Sequence, residues 1–354
     1  MTVNTLKVLI IDDSAVIRSL LTEIINSSNL LTVIGTSSDP YDAREKIKSL
    51  NPDIITLDVE MPKMDGITFL RNLMRLRPMP VVIISSMTKK GSQATLDALE
   101  IGAIDYIEKP QISTTEELLK ISDEIIQKIT YAAKANITAI EHNHYLPPIQ
   151  KAVINSHNKL QATDNAQLIA IGSSTGGVEA IKAVVSSLPS YMPPIVIVQH
   201  MPGNFTASFA KRLDTCTSLN VSELLGKEKT LENNCVYLAN GYEHLSINKK
   251  GGIFTAHCHA SKPVNRHRPA VDVLFNSMVE YANSKIVAIL LTGMGFDGAE
   301  GMVNLKKQGA LTIAQDEASS IVWGMPKAAI EREGASHILS LEKIPHFLTR
   351  LCYG

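Results

Sequence analysis

The stretch "LIAIGSSTGGVEAIKAVVSSLP", Leu168 to Pro189, decides how the second half of this chain is read. An apolar run ends in Gly172-Ser173-Ser174-Thr175-Gly176-Gly177, and apolar residues then recur at Val178, Ile181, Val184, Val185 and Leu188. The pattern predicts a buried strand, a glycine-rich turn and a helix with one apolar stripe. Such turns either cradle a phosphate on free backbone N–H groups or hold a nucleophilic serine at the edge of a sheet. The phosphate reading fails in detail. No lysine follows Gly177, as a P-loop requires, and Ser174 stands where a dinucleotide fingerprint needs its second glycine. The next strand ends in His200 rather than in the acidic residue that binds a ribose. The G-x-S-x-G reading fits, with Ser174 at its centre and helix N–H groups facing developing negative charge.

A serine hydroxyl needs a base. Of the ten histidines, His142, His144 and His157 fall in a polar segment, and His337 and His346 lie near the C-terminus, away from obvious strand ends. His257, Cys258 and His259 fit alternating strand positions better than a metal cluster, because no second ligand group has matching spacing. His200 ends "PIVIVQH", the strand after the serine strand, and consecutive parallel strands joined by a helix are usually neighbours. An orienting carboxylate is supplied by Asp297 in "IVAILLTGMGFDGAEG", where Gly293, Gly295 and Gly298 permit a strained loop. The chain order Ser, His, Asp differs from the Ser, Asp, His order of the α/β-hydrolases.

Further strand candidates in this half are "CVYLAN" and "LTIAQD", and "INKKGGIFTAH" reads as a hairpin turning at Gly251-Gly252. Upstream, the runs "LKVLIID", "LTVIG", "DIITLD", "VVIISS" and "DYIEK" alternate with helical patterns. Continuous β-branched runs separated by helices imply a parallel sheet covered on both faces. The expected organisation is α/β throughout: a five-stranded, doubly wound parallel domain over 1–130, a polar linker over 131–166, and a doubly wound α/β domain with an antiparallel insertion over 167–354.

In open parallel sheets, function gathers at the carboxyl ends of the strands. In the first half those ends carry Asp12 and Asp13, then Asp58, then Ser85 and Ser86, then Lys109. Several carboxylates crowded together repel one another, and Mg²⁺ relieves that conflict while favouring phosphate oxygens. The set suits phosphoryl transfer onto an aspartate.

Bulk composition narrows the function classes. A net charge of −1 gives no footprint for nucleic acid or an anionic membrane. The four cysteines form no CxxC pair, which fits a reducing compartment. The first apolar run meets acidic residues at once, so it reads as a strand and not a signal peptide, and no stretch approaches a membrane span. The expected location is the cytoplasm, with no direct membrane insertion.

The motifs also carry resemblances. "LIIDDS", "ITLDVEMPKMDGITFL", "VVIISS" and "IEKP" resemble the receiver domain of two-component response regulators. That resemblance implies phosphorylation of Asp58 by a histidine kinase. It also implies Mg²⁺ held by Asp12, Asp13, Asp58 and the backbone carbonyl of Glu60, with Ser85 sensing the phosphoryl group and Lys109 binding it. "IAIGSSTGG", "QHMP", "PVNRHRPAVDVLF", "LTGMGFDG", "IAQDEAS" and "VWGMP" resemble the catalytic domain of the CheB family of chemotaxis protein-glutamate methylesterases. This implies a phosphorylation-activated hydrolase of glutamate γ-methyl esters on the cytoplasmic helices of chemoreceptors, needing no cofactor for the ester chemistry. Some relatives also deamidate receptor glutamines, which the same acyl chemistry permits. By motif, Ser174 is the nucleophile, His200 the base and Asp297 its orienter. The backbone N–H near Met294 is the oxyanion donor, Thr175 flanks the site, and Asn265 and His267 lie near the substrate. His267 is the main rival to His200 as base, and Ser173 replaces the alanine more usual in GASTGG. The paired domains imply that the receiver covers the Ser174 site until Asp58 is phosphorylated. A DNA-binding regulator, the alternative, calls for a small basic output domain, which the large, near-neutral second half is not. A catalytically dead adaptor remains an alternative on sequence alone.

Overall fold

The computed structural model describes residues 5–61, 65–86, 88–109, 115–139, 166–226 and 228–353. The chain divides into two compact units, Met1–Ile140 and Glu141–Gly354. The linker expected over 131–166 lies outside the described residues from 140 to 165.

In the first unit strands and helices alternate among the described residues: β1 (Leu6–Ile11), α1 (Ala15–Asn26), β2 (Leu31–Ser37), α2 (Pro40–Leu50), β3 (Ile54–Asp58), α3 (Gly66–Leu76), β4 (Val81–Ser85), α4 (Lys89–Ile101), β5 (Asp105–Glu108) and α5 (Thr115–Ala132). All neighbouring strands pair in parallel, in the order β2-β1-β3-β4-β5. Strands β3 and β4 are buried at every residue, as helices on both faces require. Helix starts are set by side chains: Ser14, Asp39, Asp65 and Thr88 each accept a backbone N–H of the first turn. The order places the ends of β1 and β3 side by side where the strand sequence reverses, so Asp12 and Asp58 share one crevice.

The second unit opens with β6 (Leu168–Ser173), α6 (Gly177–Ser186), β7 (Ile195–Gln199) and α7 (Gly203–Cys216). Strands β8 (Asn220–Leu224), β9 (Lys229–Thr230), β10 (Cys235–Ala239), β11 (His244–Lys250) and β12 (Ile253–His259) follow. The chain continues through α8 (Val271–Ser277), β13 (Ile286–Leu290), α9 (Ala299–Lys307), β14 (Leu311–Gln315), α10 (Met325–Glu331), β15 (His337–Leu339) and α11 (Lys343–Tyr353). Seven strands form a parallel sheet, β15-β14-β13-β6-β7-β10-β8, and β11-β12-β9 form a separate antiparallel sheet. The expected α/β architecture with an antiparallel insertion is therefore present, and the β11–β12 hairpin turns at Gly251-Gly252. His257, Cys258 and His259 alternate along β12, with the cysteine buried between an exposed and a half-buried histidine.

Three strands depart from the sequence reading. β8 alternates exposed and half-buried residues up to a buried Leu224 as an edge strand, β9 is two exposed residues at the edge of the antiparallel sheet, and β15 is three residues long at the edge opposite β8. His337, expected away from strand ends, is the first residue of β15.

Strand β6 lies centrally between β7 and β13. Every residue of β6 and β7 is buried, and so are Val178, Ile181, Val184, Val185 and Leu188 of the following helix segment. Thr292, just past β13, locks the β6 turn. Its hydroxyl donates to the Thr175 carbonyl at 3.0 Å and accepts the Val322 N–H at 2.9 Å, while its carbonyl accepts the Ser174 N–H at 3.1 Å. Replacing Thr292 by the isosteric valine strands both hydroxyl partners in a site that is 1% exposed. The expected cost is about 1–3 kcal/mol, read as a lower unfolding midpoint of the second unit at unchanged far-ultraviolet dichroism.

Candidate active site

Ser174 sits at the top of β6, where Gly176 takes φ +75° and the chain turns into α6. A side chain at Gly176 would meet Ile321 at 2.8 Å, and one at Gly293 would meet the Ser174 Cβ at 2.9 Å. Glycine is needed at Gly176 to clear Ile321 and at Gly293 to clear Ser174. The two adjacent serines are chemically distinct. Ser173 is fully buried and its hydroxyl donates to Gln199 Oε1 at 2.6 Å, whereas Ser174 is half-buried. Gln199 returns a bond from Nε2 to the Ser174 carbonyl at 2.9 Å, so this buried amide braces the turn.

Register brings His200 next to the serine turn. Ser173 pairs with Gln199 across β6 and β7, and the His200 N–H donates to the Ser173 carbonyl at 3.1 Å. The imidazole of His200 bonds through Nε2 to Asp297 Oδ2 at 2.8 Å. Its other nitrogen, Nδ1, is buried without a hydrogen-bond partner among the described residues. In the neutral imidazole, with Asp297 acting as acceptor, Nε2 holds the hydrogen and Nδ1 offers its lone pair.

Asp297 is 2% exposed and fully paired. Oδ2 also accepts the Val271 N–H at 2.6 Å, and Oδ1 accepts Asn265 Nδ2 at 2.8 Å and the Asp272 N–H at 3.2 Å. Burial alone raises its pKa, but the bond and charge of His200, with the Asn265 and Val271 donors, outweigh it and bring the carboxyl down to about 2.

The segment quoted as "NRHRP" forms a tight turn. Val264 and His267 exchange both backbone hydrogen bonds, and Asn265 and Arg266 between them have φ of 52° and 70°. Two left-handed central residues define a type I′ geometry. The turn points the Asn265 amide inward at Asp297 and lays the His267 ring on His200, centroids 3.7 Å apart and 13° from coplanar. The Asp297 bond goes to His200 and not to its rival. Thr175 is buried behind the serine, with its carbonyl held by Thr292. Met294 is half-buried in the loop that contacts Ser174, and its N–H takes no backbone partner among the described residues. Gln199, Thr292 and Asp272 lie within the quoted motifs without a role assigned there, and His244 lies outside them. His244, fully buried, accepts the Ala270 N–H on Nδ1 at 3.2 Å and bonds the Lys262 carbonyl through Nε2 at 3.0 Å.

In the first unit one carboxylate oxygen from each of Asp12, Asp13 and Asp58 lies within 4.8 Å of the others. Asp12 and Asp58 are completely buried, while Asp13 is exposed. Lys109 reaches Asp58 Oδ2 at 2.7 Å and Asp12 Oδ2 at 3.2 Å. The second contact is an ion pair without hydrogen-bond alignment, so Asp12 Oδ2 is a buried anion with no true hydrogen bond. Burial, above the opposing Ser14 N–H bond, and the nearby Asp58 charge raise the Asp12 pKa. One ammonium against three carboxylates leaves charge for a hard divalent cation, and the orphaned oxygen supplies a ready ligand. Glu60 donates its N–H to Asp58 Oδ1 at 2.9 Å, while its side chain accepts from Ser86. Ser85 ends β4 beside Asp58, but its hydroxyl accepts from Thr95 at 2.7 Å and lies 3.3 Å from the Gly91 carbonyl.

These features define a class: a receiver-type domain joined to an α/β domain that sets a serine beside a histidine–aspartate pair. Family models agree, with the response regulator receiver domain matching residues 8–122 and CheB methylesterase matching residues 169–348. The chain is 51% identical over 346 residues to protein-glutamate methylesterase/protein-glutamine glutaminase 2 of Vibrio vulnificus (strain YJ016), covering 98% of both chains. It is 49% identical over 340 residues to protein-glutamate methylesterase/protein-glutamine glutaminase 1 of Hahella chejuensis (strain KCTC 2396), covering 96% of this chain and 94% of that one. Among solved structures, the CheB methylesterase catalytic domain of Thermotoga maritima matches at 38% identity and TM-score 0.51, covering 52% of this chain and 98% of that one. The chain belongs to the CheB methylesterase family.

The sign of the Asp297 shift gives a stability test. A carboxyl whose folded pKa lies below its ordinary 3.8 contributes stability that is complete above that value and is lost as pH falls toward about 2. The stability gap between wild type and Asp297→Asn, from denaturant titrations, should hold above about pH 4 and narrow below it. A gap independent of pH through that range contradicts the paired, ionised carboxylate.

Proposed function

We propose that this protein hydrolyses glutamate γ-methyl esters on the cytoplasmic helices of chemoreceptors, and deamidates receptor glutamines by the same acyl chemistry. The observation that carries the reading is the fully paired His200–Asp297 couple with a free Nδ1, one strand register from a half-buried Ser174. Ser174 Oγ attacks the ester carbonyl as His200 Nδ1 takes its proton, and Asp297 stabilises the resulting imidazolium. The Met294 N–H meets the developing oxyanion, with Thr175 beside it. His200 returns the proton to the leaving methanol, or to ammonia from a glutamine. Water then attacks the acyl-serine and regenerates Ser174. The ester chemistry uses no cofactor.

The receiver, proposed to span 1–130 and to be joined by a linker over 131–166 to the catalytic domain over 167–354, acts as the switch. A histidine kinase phosphorylates Asp58. Asp12, Asp13, Asp58 and the Glu60 carbonyl hold Mg²⁺, which when bound neutralises carboxylate and phosphoryl oxygens. The orphaned Asp12 Oδ2 supports that ligand set. Lys109 binds the phosphoryl group, and Ser85 must leave Thr95 to reach it. No helix among the described residues is long and apolar enough to cross a membrane, and the proposed location is the cytoplasm.

Methanol release from methylated receptor membranes should fall on the order of 10⁴-fold or more in Ser174→Ala and persist in Ser173→Ala. No release above background by the wild type would make the protein an adaptor and not an enzyme, and release retained in Ser174→Ala would overturn Ser174 as the nucleophile. Phosphoryl incorporation from the kinase should require Mg²⁺ and vanish in Asp58→Ala, and the same variant should lose the rise in methanol release that the kinase produces.

A further inference from the structure

Asp272 lies in the first turn of α8, and the simplest account of it is a helix-end acid. Its surroundings ask for more. It is 5% exposed, and its two oxygens serve different elements. Oδ1 accepts the Gly301 N–H at the start of α9 at 2.7 Å, which is a structural cap. Oδ2 accepts Asn265 Nδ2 at 2.7 Å, and the same amide nitrogen donates to Asp297 Oδ1 at 2.8 Å. A carboxamide NH₂ has two hydrogens, and here each goes to a different buried carboxylate.

We propose that Asp272 is a positioning residue for the ester-hydrolysing site: through the Asn265 amide it fixes the Asp297 carboxylate and holds the 264–267 turn against His200. The inference rests on the reading of Ser174, His200 and Asp297 given above. With carboxylates on both sides, only the NH₂ end of Asn265 can face inward. That orientation pins Asn265 in its left-handed conformation and keeps His267 flat on the imidazole. The backbone joins in, since the Asp272 N–H itself donates to Asp297 Oδ1. Asp272 also adds negative charge beside the pair that stabilises the imidazolium in the transition state.

Asp272→Asn separates this role from the cap. The new side chain can still accept from Gly301 through its oxygen. Its NH₂ then faces the NH₂ of Asn265, and if Asn265 flips to relieve that clash, its oxygen faces Asp297. Either outcome loosens the carboxylate. The charged and titratable groups facing the site are Asp297 on the β13–α9 loop, His267 on the turn and His244 below Ala270, while Arg266 and Arg268 of the turn segment are exposed.

The test is the pH profile of kcat/KM for methanol release from methylated receptor membranes, for wild type, Asp272→Asn, Asn265→Ala and the double variant. The acid limb should move to lower pH in Asp272→Asn, because the imidazolium loses negative charge and a fixed partner. At the optimum, kcat should fall on the order of tenfold to a hundredfold with KM little changed. The double variant should be no slower than the worse single one, since both act through one amide. Asn265→Ala leaves the Gly301 cap untouched and guards against simple misfolding, which the unfolding midpoint of each variant also reports. An unmoved acid limb, or losses that multiply in the double variant, overturns the proposal and leaves Asp272 a helix cap. Activity retained in Ser174→Ala would instead sink the underlying functional reading.

Discussion

The structure around the candidate site depends on one buried carboxylate. Asp297 is taken almost wholly out of water, and an unpaired charge there would cost several kcal/mol. The fold meets that cost with four donors: His200 from the end of β7, Asn265 from a tight turn, and the Val271 and Asp272 N–H groups at the start of α8. Each donor comes from a segment that must be correctly placed before the carboxylate is satisfied. The glycines of the loop follow from the same demand. Gly298, at φ +87°, allows the chain to turn beside Asp297, where a side chain would meet Val271 at 2.6 Å.

Both units solve the problem of concentrating charge in the same place, at the carboxyl edge of a parallel sheet, but they balance it differently. In the second unit one carboxylate is saturated by hydrogen bonds and aimed at an imidazole. In the first, two fully buried carboxylates share a single lysine beside an exposed third, and Asp12 Oδ2 lacks an aligned donor. The saturated site suits the proton transfer proposed for it. The unsaturated one is suited to a divalent cation and a phosphoryl group. The two kinds of chemistry are thus written in how completely each carboxylate is paired.

Much of this was legible from local pattern. Apolar runs ending in Asp12, Asp58, Gly172 and His200 marked the strands, because parallel strands covered on both faces must be continuously apolar. The glycine turn and the adjacency of β6 and β7 then pointed to Ser174 and His200. What escaped local reading depends on long-range contact. Gln199 reads as the polar end of a strand until Ser173 is seen to bond it, Asp272 reads as a helix-end acid, and Thr292 is one threonine before a glycine. β8 carries alternating polar residues at a sheet edge and β15 is too short to show a period. The ambiguity between Ser173 and Ser174 also needed the third dimension, since burial and the Gln199 bond separate two identical side chains.

The most direct measurement of the central claim is the site of covalent labelling by a serine-directed fluorophosphonate, located by peptide mass spectrometry. Ser174 should carry the adduct in the wild-type chain, and labelling should be largely lost in His200→Ala. An adduct on Ser173, or rapid labelling of Ser174 that survives the loss of His200, would contradict the account.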